Sequence, residues 1–372
     1  MLEAPIPSSW VEISLDRVSR NLELTLDLLP ESAAFCAVMK ADAYGHGISR
    51  VVPLLVEQGV SCVGITSNSE ARAVRNAGFC GTLIRLRAAT PQEMEAALPD
   101  HIQEQVGALW SAQQLRKILA NAARPAGVHL ALNAGGMSRD GLDISTQAGQ
   151  QACREILDEI GMHIVGISTH FPKNEAAALR QSSTLFKQQV DWVCDNSVLK
   201  KSDLLVHAGS TLTLLSGEPV ETDMYRCGAI LYGFLRPEVG FRPTMELKAN
   251  VVHLGEYPKG SFVGYDSELR LNTDRRLACV SIGYAAGYSR IAQHSGTVLI
   301  RGKRAKVLGK ISMNSIVADV TRIANVCVGD VATVFGTDGA DAISADIAAE
   351  QFGTILPDLF SDWGARNPRH YR

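Results

Sequence analysis

The feature that most restricts the fold of this chain is a regular alternation of short apolar runs with amphipathic segments between residues 11 and 240. Buried parallel strands have near-continuous apolar sequences, and each parallel connection needs a crossover, which is usually a helix. Eight such runs predict a (β/α)₈ barrel; a doubly wound open sheet is the alternative, because the fourth run is weak. The predicted strands are residues 34–39, 61–65, 82–86, 105–108, 128–132, 163–168, 204–207 and 229–232.

Capping signals mark several helix starts between these strands. In a capping box, Ser or Thr accepts a hydrogen bond from the third helical amide, and Glu or Gln at that position bonds back. Three pairs have this spacing, and the second also has Pro91 at the first helical position: Ser67 and Glu70, Thr90 and Glu93, and Ser111 and Gln114. The pattern predicts that helices begin at these points.

The pattern changes after about residue 240. Short β-branched runs separated by Gly, Asp and Asn predict a mostly antiparallel β domain. Because 372 residues exceed the usual single core, two domains are expected: a barrel over residues 11–240 and a β domain over 241–372, with residues 1–10 packing on the latter. The predicted strands of this second domain are residues 251–254, 277–282, 296–301, 305–308, 316–320 and 330–335.

Charge and hydropathy exclude several classes of function. The formal net charge is −3, so the chain offers no basic surface for nucleic acid. No apolar stretch approaches the length of a membrane span. The first seven residues lack the charged and apolar regions of a signal peptide. We therefore expect a cytoplasmic protein, or a periplasmic one if a leader has been removed.

The eight cysteines are scattered, and no two have the spacing of a CxxC redox or zinc motif. No metal site is therefore expected. Cys36 and Cys62 lie at the first two predicted strands, which are neighbours in a barrel. If their side chains face each other they could form a disulfide, which would imply an oxidising compartment.

Lys40 is the most informative single residue. It ends the first predicted barrel strand and precedes the small-residue turn Ala41-Asp42-Ala43-Tyr44-Gly45. The carboxyl ends of barrel strands carry active sites, and a desolvated lysine has a lowered pKa. Such an amine forms imines with aldehydes, including pyridoxal phosphate (PLP). The local pattern alone is equally compatible with a solvated loop lysine.

Two further motifs follow or lead into the last predicted barrel strands. They are His207-Ala208-Gly209-Ser210-Thr211 and Tyr225-Arg226-Cys227-Gly228. Hydroxyl groups and glycines at this end of a barrel fit a phosphate cradle, because backbone amides can approach an anion there. Ordinary turn formation is the alternative for each motif alone.

From about residue 10 to its C-terminus, the chain resembles the alanine racemase family of PLP-dependent enzymes, on the segment 37–47, the two motifs above and Val263-Gly264-Tyr265. The resemblance implies that Lys40 binds PLP and then acts as a base on one face of the substrate α-carbon. It implies that Tyr265, contributed by the partner subunit of a homodimer, serves the opposite face. Two bases on opposite faces are what racemisation requires.

The resemblance also assigns the supporting residues. Arg226 faces the pyridine nitrogen, and His170 links the tyrosine to that arginine. Tyr284 and Met313 line the substrate pocket. The positions that match the phosphate-binding residues are Tyr44, Ser210, Thr211, Gly228 and Ala229.

Some positions differ from typical alanine racemases. Ala131 stands where they have a lysine modified to a carbamate, which leaves Arg139 short of an anionic partner, and an unpaired buried charge is costly. We therefore expect a bound chloride held by Arg139 with Asn133 and Arg85.

Two more departures follow, with Asn314 in place of an aspartate and Pro357 in place of a phosphate-binding tyrosine. The departures resemble the broad-specificity amino-acid racemase branch of the family. They imply a roomier substrate entrance and activity on alanine, serine, and lysine or arginine. Some members of that branch are exported.

Three rival functions remain open at this stage. A strict alanine racemase shares every motif above. A PLP-dependent decarboxylase of basic amino acids needs a catalytic cysteine motif, and Cys327 lies in an ordinary turn sequence. A non-catalytic PLP carrier resembles a lone barrel and has no use for Tyr265, Tyr284 or Met313.

Overall fold

A computed structural model describes residues 7–123, 126–293 and 295–372. Its strands are β1 (Ser9–Ile13), β2 (Ala34–Val38), β3 (Cys62–Ile65), β4 (Thr82–Arg85), β5 (Ile102–Val106), β6 (Val128–Ala131), β7 (Ile164–Ser168), β8 (Leu205–His207), β9 (Gly209–Ser210), β10 (Met224–Cys227), β11 (Met245–Tyr257), β12 (Phe262–Val263), β13 (Leu269–Arg270), β14 (Arg275–Val280), β15 (Thr297–Ile300), β16 (Lys303–Leu308), β17 (Ile316–Asp319), β18 (Val331–Asp338), β19 (Asp341–Ile343) and β20 (Arg369–Tyr371).

The helical segments are α1 (Leu15–Asp27), α2 (Lys40–Tyr44), α3 (Ile48–Glu57), α4 (Asn68–Asn76), α5 (Pro91–Ala96), α6 (Leu109–Ala120), α7 (Gln147–Ile160), α8 (Ala176–Asp195), α9 (Thr211–Ser216), α10 (Ala345–Phe352) and α11 (Leu356–Arg366). The chain packs as two units. The barrel unit contains residues 22–43 and 48–231; the C-terminal unit contains residues 7–21, 44–47 and 232–372. The sequence-based boundary at residue 240 stays a prediction.

The barrel unit is built on one parallel sheet with the order β8-β7-β6-β5-β4-β3-β2-β10-β9. Only Ala208 separates β8 from β9, so one continuous stretch of chain pairs with β7 at one end of the sheet and with β10 at the other. The sheet thereby closes on itself with eight strand positions. The predicted (β/α)₈ barrel is confirmed, and the open-sheet alternative is wrong.

Two local predictions in the barrel were wrong. Residues 229–232 form a 3₁₀ turn, and the eighth strand is β10, which pairs with β2 from Met224 to Cys227. A buried apolar run of four residues does not distinguish a strand from a turn. Helix α6 begins at Leu109, so Ser111 is not its cap. The capping boxes of α4 and α5 are confirmed.

Cys36 and Cys62 lie directly opposite each other on β2 and β3. Both are buried free thiols. The hydrogen bond between them and burial raise the pKa of the Cys36 thiol well above its usual value. Their predicted proximity is therefore observed, without a disulfide.

The C-terminal unit is built on a mostly antiparallel sheet with the order β19-β18-β15-β16-β17-β14-β11-β1-β20. This confirms the predicted β domain. Strand β1 pairs with β11 and, in parallel, with β20, so the first and last strands lie side by side. The sheet buries a cluster of aromatic rings: Phe335, Phe352, Phe360 and Trp363.

A close backbone contact holds residues 44–47 within the C-terminal unit. Gly45 has φ +82°, and a Cβ there would lie 2.2 Å from the Phe360 carbonyl oxygen. A Cβ on Gly364 of α11 would lie 2.1 Å from the Gly45 carbonyl oxygen. Only glycine at both positions allows this approach.

No helix in the described part of the chain has both the length and the apolar composition needed to cross a bilayer.

Candidate active site

Lys40 begins a left-handed turn at the carboxyl end of β2. Four consecutive residues without glycine have positive φ, at 53° for Ala41, 54° for Asp42, 57° for Ala43 and 53° for Tyr44. This conformation costs roughly 1–2 kcal/mol per L-residue. The surrounding structure must therefore hold the turn firmly, as is common at functional sites.

Glu70, the third residue of α4, supplies much of that support. Its Oε1 accepts a 2.8 Å hydrogen bond from the Ala41 amide. Its Oε2 accepts from the Thr66 amide at 2.7 Å and from the Ser67 amide at 3.1 Å. The carboxylate thus connects the capping box of α4 to the first residue after the lysine.

Asp42 supports the far side of the turn, where its Oδ1 accepts a 2.8 Å hydrogen bond from the Ile48 amide at the start of α3. The Ala43 amide donates to the Met39 carbonyl at 2.9 Å. The backbone on either side of Lys40 is therefore anchored to β2, α3 and α4.

The amine of Lys40 lies in an environment that favours its neutral form. Desolvation lowers its pKa below the usual value, and the positive charge of Arg139 lowers it further, while Glu70 acts in the opposite direction. A larger fraction of neutral amine makes the lysine a better nucleophile and base.

Arg226, on β10, is buried and held by the barrel interior. Its Nη1 donates to His207 Nδ1 at 2.6 Å and to the His207 carbonyl at 2.8 Å. Its Nη2 donates to the Thr169 carbonyl at 2.8 Å. Its Nε has no hydrogen-bond partner among the described residues. Burial lowers the pKa of Arg226 to about 10, so the guanidinium stays cationic at neutral pH.

His170 follows β7 and lies within electrostatic range of the basic groups. Burial, and then the charges of Arg226, Arg139 and Lys40, lower its pKa to about 4. Its ring has no hydrogen bond to any described residue. The imidazole is therefore neutral, and the predicted link from Arg226 through His170 to a tyrosine stays a prediction.

The residues of the predicted anion cradle lie at the ends of β9 and β10. The Gly228 amide donates to Thr211 Oγ1 at 3.3 Å, which joins the two strand ends. Ser210 caps α9 by accepting from the Thr213 amide. Ala229 begins the 3₁₀ turn after Gly228. The barrel unit thus brings Ser210, Thr211, Gly228 and Ala229 into one neighbourhood.

The loop after β6 removes the reason for a chloride at Arg139. The Arg139 side chain is 56% exposed, and its Nε lies 3.5 Å from Asp140 Oδ1. Asn133 Oδ1 accepts from the Ser138 amide at 2.8 Å, and Ala131 is buried at the end of β6. The premise of an unpaired buried arginine was wrong, because Arg139 has both solvent and a neighbouring carboxylate.

Arg85 is fully buried on β4 and pairs with Glu104 of β5. Its Nε and Nη2 donate to the two carboxylate oxygens at 2.7 and 3.0 Å, and Nη2 also donates to Asn68 Oδ1. Its Nη1 is buried without a partner among the described residues. A chloride held by Arg139 with Asn133 and Arg85 stays a prediction.

The remaining predicted site residues belong to the C-terminal unit. The Tyr44 ring packs on Tyr232 and Phe234, with centroid distances of 4.9 and 6.0 Å. Tyr265 begins a 3₁₀ turn that follows Gly264 (φ +80°) and contains Asp266 (φ 61°). Its side chain is 63% exposed.

Tyr284 and Met313 lie on two turns that contact each other. The Tyr284 amide donates to the Ser312 carbonyl at 3.2 Å, and the Ala285 amide donates to the Met313 carbonyl at 3.0 Å. Met313 is 55% exposed. The C-terminal unit therefore presents Tyr265 and Met313 at its surface.

Sequence reasoning missed two polar residues of the barrel interior. His129 on β6 bonds to His207, and Gln103 on β5 bonds to His129. Two signals were available in the sequence: polar residues with period-two spacing on β5, and a histidine within the apolar run of β6. A fully buried strand rarely carries such polar residues.

Comparison with known protein families decides the family. The model of the alanine racemase N-terminal domain matches residues 13–236, and the model of the alanine racemase C-terminal domain matches residues 244–371. The chain belongs to the alanine racemase family. The family resemblance of the sequence motifs is confirmed, and with it the expectation of an amino-acid racemase.

Relatives in this family cover nearly the whole chain. A lysine racemase from Proteus mirabilis is 36% identical, over 98% of this chain and 90% of its own length. A broad specificity amino-acid racemase from Vibrio parahaemolyticus is 38% identical, over 99% of this chain and 91% of its own length.

Solved alanine racemase structures have the same fold. The alanine racemase from Bacillus anthracis with bound L-Ala-P superposes with a TM-score of 0.89 at 25% identity, over 99% of this chain and 96% of the other. The alanine racemase from Clostridium difficile 630 also gives 0.89 at 26% identity, over 100% and 97%.

Proposed function

We propose that this member of the alanine racemase family is a PLP-dependent racemase of broad specificity, acting on alanine, serine, and lysine or arginine. The observation that carries the proposal is Lys40, whose lowered pKa and anchored left-handed turn present a nucleophilic amine at the carboxyl end of a barrel strand. When bound, PLP supplies the electron sink that delocalises the charge left on the α-carbon.

The barrel residues fit this cofactor. The Nε of Arg226 is left unpartnered among the described residues while both Nη atoms are bonded. It would donate to the ring nitrogen and keep it unprotonated, because an arginine does not give up its own proton. Ser210, Thr211, Gly228 and Ala229, with Tyr44, would hold the phosphate.

Two residues would move the proton. Lys40 Nζ takes or returns the α-proton on one face of the substrate carbon. The Tyr265 hydroxyl does the same on the opposite face, with His170 as its neutral neighbour. Tyr284 and Met313 would border the substrate.

The setting of Tyr265 supports a homodimer with shared sites. A phenol that is 63% exposed has no low-dielectric surroundings of its own, and proton transfer is more effective in a water-excluded site. A second copy that covers this turn would supply those surroundings and place each Tyr265 in the other protomer's site.

Broad specificity is supported by the small residue Ala131 and by the names of the relatives, which are described as a lysine racemase and broad specificity amino-acid racemases.

The products of the reaction distinguish the proposed function from its three rivals. The purified protein is loaded with PLP and incubated with L-alanine, L-serine and L-lysine, and the products are resolved by chiral chromatography. D-enantiomers of all three are expected. D-alanine alone would indicate a strict alanine racemase, amine with CO₂ a decarboxylase, and no turnover a carrier.

Reduction of the loaded protein with borohydride tests the central residue. The expected product carries the label on Lys40, identified by peptide mass spectrometry. Labelling of another lysine would refute the proposed site.

A further inference from the structure

We propose that Gln103 is a positioning residue that fixes the proton positions on His129 and His207 and thereby fixes the guanidinium of Arg226. The inference rests on the function proposed above, in which Arg226 faces the cofactor ring. Gln103 itself is not among the residues proposed above to contact the cofactor or the substrate.

A line of hydrogen bonds crosses the barrel interior from β5 to β10. Gln103 Oε1 lies 2.8 Å from His129 Nε2. His129 Nδ1 lies 2.9 Å from His207 Nε2, and His207 Nδ1 lies 2.6 Å from Arg226 Nη1. Each ring nitrogen of the two histidines has one hydrogen-bond partner among the described residues.

The direction of every bond follows from the arginine, because a guanidinium only donates. His207 Nδ1 must accept from Arg226, so His207 carries its proton on Nε2 and donates to His129 Nδ1. His129 therefore carries its proton on Nε2 and needs an acceptor there. The carbonyl oxygen of Gln103 is that acceptor.

Both imidazoles are held in the neutral form that this line requires. His129 and His207 are fully buried. Burial, followed by the charge of Arg226, lowers the pKa of His129 to about 3 and that of His207 well below its usual value.

The strand between the two histidines, β7, has a glycine, Gly166, beside this line of hydrogen bonds. A Cβ on Gly166 of β7 would lie 2.4 Å from His129 Nδ1 and 2.6 Å from the Leu205 carbonyl oxygen. The absence of a side chain there gives room for the bond between His129 and His207. This is a second observation, independent of the hydrogen bonds.

Without the acceptor, the line loses its direction. A buried N–H left unpaired is unfavourable, so His129 would rotate or move its proton to Nδ1. His207 could then adopt the other tautomer and present an N–H to Arg226, which is itself a donor. The guanidinium would shift away from its present position.

The first test is a measurement on the wild-type holoenzyme. With ¹⁵N-labelled histidine, long-range ¹H–¹⁵N correlations report which ring nitrogen carries the proton. We expect His129 and His207 as neutral Nε2–H forms at neutral pH. A proton on Nδ1 of His207, or an imidazolium at either residue, would overturn the proposal.

Matched variants provide the second test. Gln103→Met keeps the length and removes the acceptor, whereas Gly166→Ala pushes the two rings apart. For each we expect mixed tautomers at His207 and a kcat about 5- to 10-fold lower, with KM changed less than about twofold. Gln105→Met is the control: Gln105 lies on the same face of β5, but its Nε2 donates to Ser168 Oγ at 3.2 Å. It should leave the tautomers unchanged.

A folded Gln103→Met enzyme that keeps a single Nε2–H form at His207 would refute the positioning role, whatever its activity. If Gln103→Met does not fold, the wild-type spectrum decides. If the wild type does not racemise amino acids but shows the expected tautomers, the proposed function fails and the hydrogen-bond assignment stands.

Discussion

The Lys40 turn and the Tyr265 turn are two strained backbone segments with opposite surroundings. Both contain consecutive non-glycine residues with positive φ. The Lys40 turn is tied to its own unit by Glu70 and Asp42, and desolvation and charge lower the lysine's pKa. Tyr265 is 63% exposed, and its hydroxyl has no hydrogen bond among the described residues. The surroundings of the proposed lysine base are complete within its unit, whereas the proposed tyrosine base would need a second protomer to cover it.

The largest effect that tests this contrast is complementation between two inactive variants. Lys40→Ala and Tyr265→Phe should each lower kcat for racemisation by about 10³-fold or more, since each removes one of the two proposed bases. In a mixed dimer with shared sites, one site is wild type and the other lacks both groups. Co-refolding equal amounts should restore about a quarter of the wild-type activity.

If the two bases came from the same protomer, the mixture would stay inactive. A mixture of Lys40→Ala with wild type, which cannot create new sites, is the control for dilution.

Acid sensitivity should be larger in the barrel unit. Free histidine binds a proton near pH 6.5, but folded His129 and His170 stay neutral to about pH 3 and 4. Below about pH 6.5 the unfolded chain therefore binds more protons than the folded protein, and the folded protein becomes less stable as the pH is lowered. Each such histidine removes about 1.4 kcal/mol per pH unit from the free energy of unfolding.

Hydrogen exchange at about pH 7 and about pH 5 locates this effect, because carboxylates stay mostly ionised over that range. Barrel amides should lose protection on acidification more than amides of β14–β18. Equal loss in both units would contradict the assignment to buried histidines.

Glu70→Gln tests the support of the Lys40 turn. An amide has one acceptor oxygen, and its NH₂ would face backbone donors that Glu70 now satisfies. We expect a loss of about 2 kcal/mol in stability and about tenfold in kcat, because hydrogen bonds to a charged acceptor are strong. The pKa of Lys40 should fall further, since the charge of Glu70 raises it.

Glu93→Gln is the matched control for Glu70→Gln, because Glu93 occupies the same capping-box position of α5. It should weaken its helix and leave kcat and the Lys40 pKa unchanged. Similar kcat losses in both variants would reduce the role of Glu70 to helix capping.

The smallest effect concerns the Tyr265 turn. Lys310 Nζ lies 2.6 Å from Asp266 Oδ2, and Asp266 is highly exposed in this ion pair. Asp266→Asn keeps a residue that tolerates positive φ and removes the charge. We expect kcat to change less than about fivefold, as for an exposed ion pair. A larger loss would mean that the turn is organised before a partner covers it.

The sequence predicts the barrel well because most of its strands are continuous apolar runs and because capping residues mark the starts of several helices. It misplaces the eighth strand, because Ala229–Tyr232 is as apolar and as buried as a strand. It locates Lys40, but four left-handed residues without glycine cannot be read from a pattern. The roles of Gln103 and Gly166 emerge only when the barrel places β5, β6, β7 and β8 side by side, so that Gln103 reaches His129 and Gly166 leaves room beside it.

The pairing of β1 with β20 has a consequence for synthesis on the ribosome. Ser9 Oγ bonds to Asn367 Oδ1, 358 residues further along the chain. Domains generally fold as they emerge, N-terminal parts first. Strand β1 must therefore remain unpaired on its parallel side until β20 has left the exit tunnel. The edge of this sheet is completed only after nearly all of the residues between its two strands have been synthesised.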